Sequence, residues 1–216
     1  MDLTEADREL VREAVRRKER SLREPERALE REFLDEARRV LGGRDALAGR
    51  AVRYLAERLA TAGSAEGPGY LKHALRVALL ALRWDPRPAA ETAALAVLHN
   101  VHEVTGADEP ALRSAGFPDR VVAGVAALTI DRARSEDNAY LGGFYAAIER
   151  AGHDAALVRC VDKLDNILGY DASGRDAARA RYVDLTERFV LPIAVRTSAP
   201  LGRVLAAAIA EARAAP

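Results

Sequence analysis

The sequence predicts an all-α protein, and three observations carry that expectation. Apolar positions recur at helical spacing almost throughout, Ala, Leu and Arg dominate while β-branched residues are scattered, and no segment shows the alternation a half-buried strand requires. At 216 residues the chain suits one ordinary domain with a single substantial core, with room for an appended helical arm. Its 33 Lys+Arg cancel its 33 Asp+Glu, so no global field attracts nucleic acid or an anionic membrane, and a polyanionic partner has to be met by a local pocket. The N-terminus is charged from its second residue, and no apolar run reaches the roughly 20 residues of a membrane span, so a soluble, cytoplasmic protein is expected. The single cysteine, Cys160, lies in the apolar run "ALVRCVDKL" and reads as a small core residue in a reducing compartment.

Taken in order, residues 4–41 form a highly charged arm in which acids and bases alternate at i, i+3 and i+4, with Pro25 opening its second helix. This reads as an exposed helical hairpin, either a solvated face or a dimerisation or partner-binding surface. Its basic run "VRRKER" is interleaved with Glu13, Glu19 and Glu24, which speaks against nucleic-acid binding. The break at Gly42-Gly43 divides a 1–43 arm from a 44–216 helical domain. There, "DALAGRAVRYLAERLATA" is a core helix, "GSAEGPGY" a Gly-rich loop without the strand context of a phosphate-cradling motif, and "LKHALRVALLALRW" the next helix. Pro86 and Pro88 precede the helix "AAETAALAVLHNVHEVTG", and further helices are expected near 109–115, 118–128, 136–151, 154–169, 174–197 and 200–214.

Within this pattern a few polar residues interrupt strongly apolar faces. On one continuous helix His99 and Glu103 project together, while Asn100 lies about 100° around the axis, so His99 and Asn100 flank one point. His73 lies in "YLKHALRVA"; Asp162 and Asn166 share a face of "VDKLDN" at i, i+4. Each alone has a plainer account, a hydrogen-bonded core histidine or a helix-surface charge. Together they need compensation, because an unpaired buried polar group costs a few kcal/mol, on the order of one hydrogen bond's desolvation. Lysine and asparagine are rare here, three of each. Lys72, Lys163, Asn100 and Asn166 all fall beside these histidines and aspartates.

The order "YLKHALRVA", "AALAVLHNVHEVTG", "VAALTI", "EDNAY" and "LVRCVDKLDNI" resembles the HD-domain metal-dependent phosphohydrolases, closest to the RelA/SpoT-type and small alarmone hydrolases, over roughly residues 45 to 170. The resemblance implies an HD-domain helical bundle that binds a divalent ion, commonly manganese in that branch. It assigns His73, His99 and Asp162 as metal ligands with Asn100 in the position of the motif's aspartate. It makes Glu103 the acidic residue that orients or activates the attacking water and puts Lys163 in the same final motif, as a group for phosphate oxygens. Asn166 matches a sugar contact, Tyr70 and Arg76 the pattern around the first ligand, and Tyr140 the tyrosine before the last. A nucleotide or other phosphorylated small molecule is then the expected substrate.

Three departures bear on that expectation. His-Asp has become His99-Asn100, the following acidic pair is Glu103-Val104, and the basic pair that usually precedes the first histidine is absent from "LATAGSAEGPGY". With Asn100 neutral, the ligand set brings one formal negative charge where the family brings two, which lowers affinity for a dication. Two readings follow: a phosphohydrolase, or a degenerate domain that binds nucleotides or partners with weak or no metal. A cysteine nucleophile is disfavoured by the apolar setting of Cys160. His102 and His153 carry no assignment.

Overall fold

The structure, a computed structural model, describes residues 3–62, 69–168 and 177–214. The loop expected at 63–70 and the start of the helix expected from 174 lie largely outside these. Every regular element among the described residues is helical. The first four helices are α1 (Glu5–Arg23), α2 (Glu26–Leu41), α3 (Ala46–Ala62) and α4 (Tyr70–Trp84). Next come α5 (Ala90–Leu98), α6 (Val101–Thr105), α7 (Glu109–Ser114), α8 (Asp119–Leu128) and α9 (Asn138–Ala151). The chain closes with α10 (His153–Ile167), α11 (Ala177–Leu185), α12 (Leu191–Thr197) and α13 (Ala199–Ala214). None of them is long and apolar enough to cross a membrane.

Local signals account for the boundaries. Thr4 and Asp7 form a capping box at the start of α1. Gly42 stops α2 with φ 60°, a left-handed cap that a side chain rarely adopts. Asp108 and Asp137 accept backbone N–H bonds at the starts of α7 and α9. The helix expected to run from 174 to 197 is interrupted by a π-helical turn at Thr186–Val190 just ahead of Pro192. A proline has no N–H and clashes with the carbonyl four residues back, so the wider turn accommodates it.

Helices α4, α5 and α10 pack mutually at the centre. From Thr92 to Leu98 every residue of α5 is buried, and α10 is buried on nearly all sides, as expected for helices apolar around their circumference. Gly124 lets α8 close on α5, since a Cβ there would sit 2.7 Å from the Leu95 side chain.

Two expectations change. Residues 4–41 form the expected pair of helices, but not a free-standing exposed hairpin. Val11 of α1 and Leu29, Phe33, Ala37 and Leu41 of α2 belong to the same core as the rest. Helix α1 packs on α13 and α4, and α2 packs on α4. The alternating charges hid an apolar stripe wide enough to dock. The helix expected across 89–106 also breaks, between α5 and α6, where Asn100 adopts φ −117° and ψ 18°. His99 and Asn100 therefore sit at a junction of two helices, and not on one continuous face with Glu103.

Candidate metal centre

His73 comes from the first half of α4, His99 from the C-terminal end of α5, and Asp162 from the third turn of α10. Because these three helices pack on one another, ligand atoms of the three residues lie within 4.8 Å of one another. The imidazoles face each other with ring centroids 5.3 Å apart and planes at 64°. His73 Nε2 stands 3.4 Å and His99 Nε2 3.6 Å from the same oxygen, Asp162 Oδ1.

Both rings are held through their other nitrogen. His99 Nδ1 lies 2.8 Å from the Ala96 carbonyl oxygen, which can only accept, so that nitrogen donates. Its Nε2 then faces inward, buried and without a hydrogen-bond partner among the described residues. His73 Nδ1 lies 2.8 Å from Asp165 Oδ2. Arg76 grips that carboxylate with two parallel bonds, Nε to Oδ1 at 2.8 Å and Nη2 to Oδ2 at 3.0 Å. Burial opposes charge on His73, but hydrogen bonds to Asp162 and Asp165, with the charges of both, raise its pKa to about 9. Burial likewise opposes charge on Asp165, and the His73 and Arg76 hydrogen bonds overcome it, bringing the carboxyl down to about 2.

Asp162 is only 2% exposed and carries a dense set of partners. Arg159 Nη1 donates to Oδ2 at 3.1 Å, Asn166 Nδ2 to Oδ1 at 2.9 Å, and Lys163 Nζ stands 3.6 Å from Oδ2. Burial works against its ionisation, yet Lys163 and the two histidines hold it well below the usual carboxylate range. Arg159 is itself buried; it also donates to the Leu128 carbonyl and packs 5.3 Å from the Phe144 ring centroid.

The donor set suits a divalent cation. Donors about 2.1 Å from a common ion lie roughly 3.0–3.5 Å apart in octahedral or tetrahedral arrangements, close to the 3.4 and 3.6 Å observed. Two imidazoles with their Nε2 atoms turned to one carboxylate, each steadied through Nδ1, is the pattern of a nitrogen–oxygen metal site.

The cluster opens into a cavity of about 470 Å³. Asn100, Glu103, Lys163, Asn166, Arg76 and Tyr70 all line it beside His73 and Asp162, so most of the residues singled out from the sequence converge there. Glu103 accepts from the Ile130 backbone N–H through Oε1 at 3.2 Å, and its buried Oε2 has no hydrogen-bond partner among the described residues. Tyr140 is not among the lining residues. Its hydroxyl accepts from the Asp131 N–H at 2.8 Å and its ring lies under Arg134, so it steadies the segment that brings Arg132 to the rim. Lys72 turns away from the cavity and caps the end of α1 through the Leu22 and Glu24 carbonyls. His153 pairs with Asp85, and His102 lies 3.1 Å from the Thr129 hydroxyl. Burial pushes the Cys160 thiol up, away from nucleophilic reactivity.

Asp165 and Arg132 are among the groups that sequence reasoning does not single out. Asp165, beside Lys163 on a helix, reads as surface charge, although its i, i+3 offset from Asp162 puts both on one flank of α10. Arg132 stands in a segment with no recognisable pattern, and only the chain path brings it to the rim.

In fold the chain is similar to a solved metazoan protein described as an ortholog of SpoT that hydrolyzes ppGpp and plays a role in starvation responses. The TM-score is 0.63 at 20% identity, over 77% of this chain and 95% of that one. No protein-family model matches the chain, and no curated protein matches it in sequence.

Proposed function

We propose that this chain is a metal-dependent phosphohydrolase that cleaves a phosphate ester or pyrophosphate bond in an alarmone-like nucleotide. The observation that carries the reading is the convergence of His73, His99 and Asp162 with both Nε2 atoms turned to Asp162 Oδ1. The fold likeness to a protein described as hydrolyzing ppGpp supports the substrate class.

His73, His99 and Asp162 would hold a divalent cation, manganese in this reading, with Asn100 beside them at the cavity wall. Such an ion supplies Lewis acidity that lowers the pKa of water and polarises a phosphoryl oxygen. Glu103 does the proton work: one oxygen is anchored on the Ile130 N–H, leaving the other to orient a water and accept its proton. Arg76, Arg132, Arg159 and Lys163 face Glu103 and Asp162 around the cavity, and with Asp165, which occupies the Arg76 fork, the cations still exceed the carboxylates, four to three. A wall with that excess, before any metal is counted, favours a multiply charged phosphate over a neutral substrate. Asn166, fixed through its amide nitrogen on Asp162, lines the cavity and would offer its carbonyl oxygen to a ribose hydroxyl.

The test combines metal analysis of protein purified without chelator with manganese titration and release of phosphate or pyrophosphate from a nucleotide panel. Activity should require the cation and disappear in His99→Ala with the fold intact. Turnover unaffected by chelator, or by that substitution, would overturn the proposal.

One observation favours a second reading, a nucleotide-binding module with weak or no metal. Arg159 and Lys163 already neutralise Asp162, which lowers its attraction for a dication. That reading expects nucleotide binding without turnover at saturating manganese.

A further inference from the structure

His73 and His99 are steadied in different ways. The Nδ1 of His99 meets a backbone carbonyl three residues earlier in its own helix, a partner that no substitution removes. The Nδ1 of His73 meets a side chain from another helix, Asp165. Two pairs at i, i+3 make this flank: His73 and Arg76 on α4 face Asp162 and Asp165 on α10. The imidazole of His73 is bracketed, with Asp162 Oδ1 3.4 Å from Nε2 and Asp165 Oδ2 2.8 Å from Nδ1. Arg76 prevents the second carboxylate from rotating, since its fork takes both oxygens. The backbone at this point is held from a third side. Lys18 of α1 donates to the carbonyls of Asp165 and Leu168, the latter at 2.7 Å, at the C-terminal end of α10, where helix carbonyls lack intrahelical partners.

We propose that Asp165, clamped by Arg76, is the positioning residue of the centre: it keeps the proton of His73 on Nδ1 and the ring turned so that Nε2 meets the ion. The inference rests on the metal-site reading above. It adds that this chain, whose Asn100 is neutral, keeps a second carboxylate within one imidazole of the ion. Through an imidazole, a carboxylate raises the basicity of the coordinating nitrogen, and loss of such a partner typically costs about 10–100-fold in metal affinity. Asp165 touches neither ion nor substrate, so its effect is expected in ion binding before chemistry is considered.

The experiment is manganese binding by isothermal titration to the full chain, alongside thermal unfolding of the same samples. Asp165→Ala should weaken binding roughly 10–100-fold. Asp165→Asn, which keeps an acceptor without the charge, should fall between it and the native protein, and it carries the test if the alanine variant does not fold. Asp154→Asn is the control: it loosens another buried carboxylate, on Thr92 and Arg120, and should lower stability without changing manganese affinity. Native-like affinity in Asp165→Asn and Asp165→Ala overturns the proposal, as does equal weakening in the control. A second readout does not depend on metal. In ¹⁵N spectra of the ion-free protein at pH 10, the His73 ring should be the Nδ1–H tautomer in the native chain and shift towards a mixture in Asp165→Ala. A native His73 in the Nε2–H form overturns the inference even if manganese binds. Failure of native protein to bind manganese, with the Nδ1–H tautomer intact, instead overturns the metal reading.

Discussion

On its α4–α10 flank the His73–His99–Asp162 cluster is held by charged side chains, whereas on its α5–α6 flank it is held by the backbone. Arg76, Arg159, Lys163 and Asp165 surround the first flank at hydrogen-bond or ion-pair distance. The second has the Ala96 carbonyl behind His99, the Ile130 N–H on Glu103 and the neutral Asn100 at the helix junction. The difference teaches how the proposed reaction would divide over the site. Charge that would set cation affinity is concentrated on one side, and the groups that would orient a water are built on the other.

The sharpest way to break this comparison is to remove one ligand from each flank. Asp162→Ala leaves the buried Arg159 guanidinium without its carboxylate, so it should cost roughly 3–5 kcal/mol of stability as well as cation binding. His99→Ala should abolish binding for about 1–3 kcal/mol. Urea unfolding beside metal titration checks both, and equal destabilisation would erase the distinction between the flanks.

Proton competition should appear on the charged flank. With the His73 pKa raised to about 9 in the ion-free protein, a cation has to displace a proton from it at neutral pH. Apparent manganese affinity should therefore climb about tenfold per pH unit towards pH 9 and then level, with about one proton released per ion. Titration in buffers of different ionisation enthalpy counts that proton.

The same pair makes stability depend on pH from both ends. The folded pKa of Asp165 is depressed to about 2 from 3.8, so its contribution is present above pH 4 and lost as pH falls from 4 to 2, about 2 kcal/mol in all. The folded pKa of His73 is raised from 6.5 to about 9, so its contribution is complete below pH 6.5 and fades as pH rises through 9. Urea midpoints across pH should show both losses, and manganese should suppress the alkaline one, because the ion takes the place of the proton. A midpoint that stays flat from pH 4 to 2 would remove Asp165 from this account.

The smallest expected effect lies on the backbone-held flank. Asn100→Asp adds a negative charge at the cavity wall and should tighten manganese binding by roughly tenfold. No gain in affinity would exclude Asn100 from the coordination shell.

The histidines, the distant aspartate and the helices that carry them were legible because each depends on local pattern, polar residues interrupting apolar faces of 3.6-residue period. Asp165 was not, since a carboxylate beside Lys163 on a helix looks like solvated charge until α4 is packed against it. Lys18 was hidden likewise in a run of alternating charges, and the break between α5 and α6 at His99 and Asn100 has no glycine or proline to mark it in the sequence.

The sequence by itself determined an all-helical chain, because helical periodicity and capping act over a few residues. It also marked His73, His99 and Asp162 as polar intrusions needing compensation. Only the tertiary structure decided that these three meet, that α1 and α2 share the core, and that Asp165 stands behind His73. Which charges pair is a property of helices remote in sequence being pressed together, and burial alone turns such pairs from weak surface contacts into interactions that hold a ring in place and move its pKa.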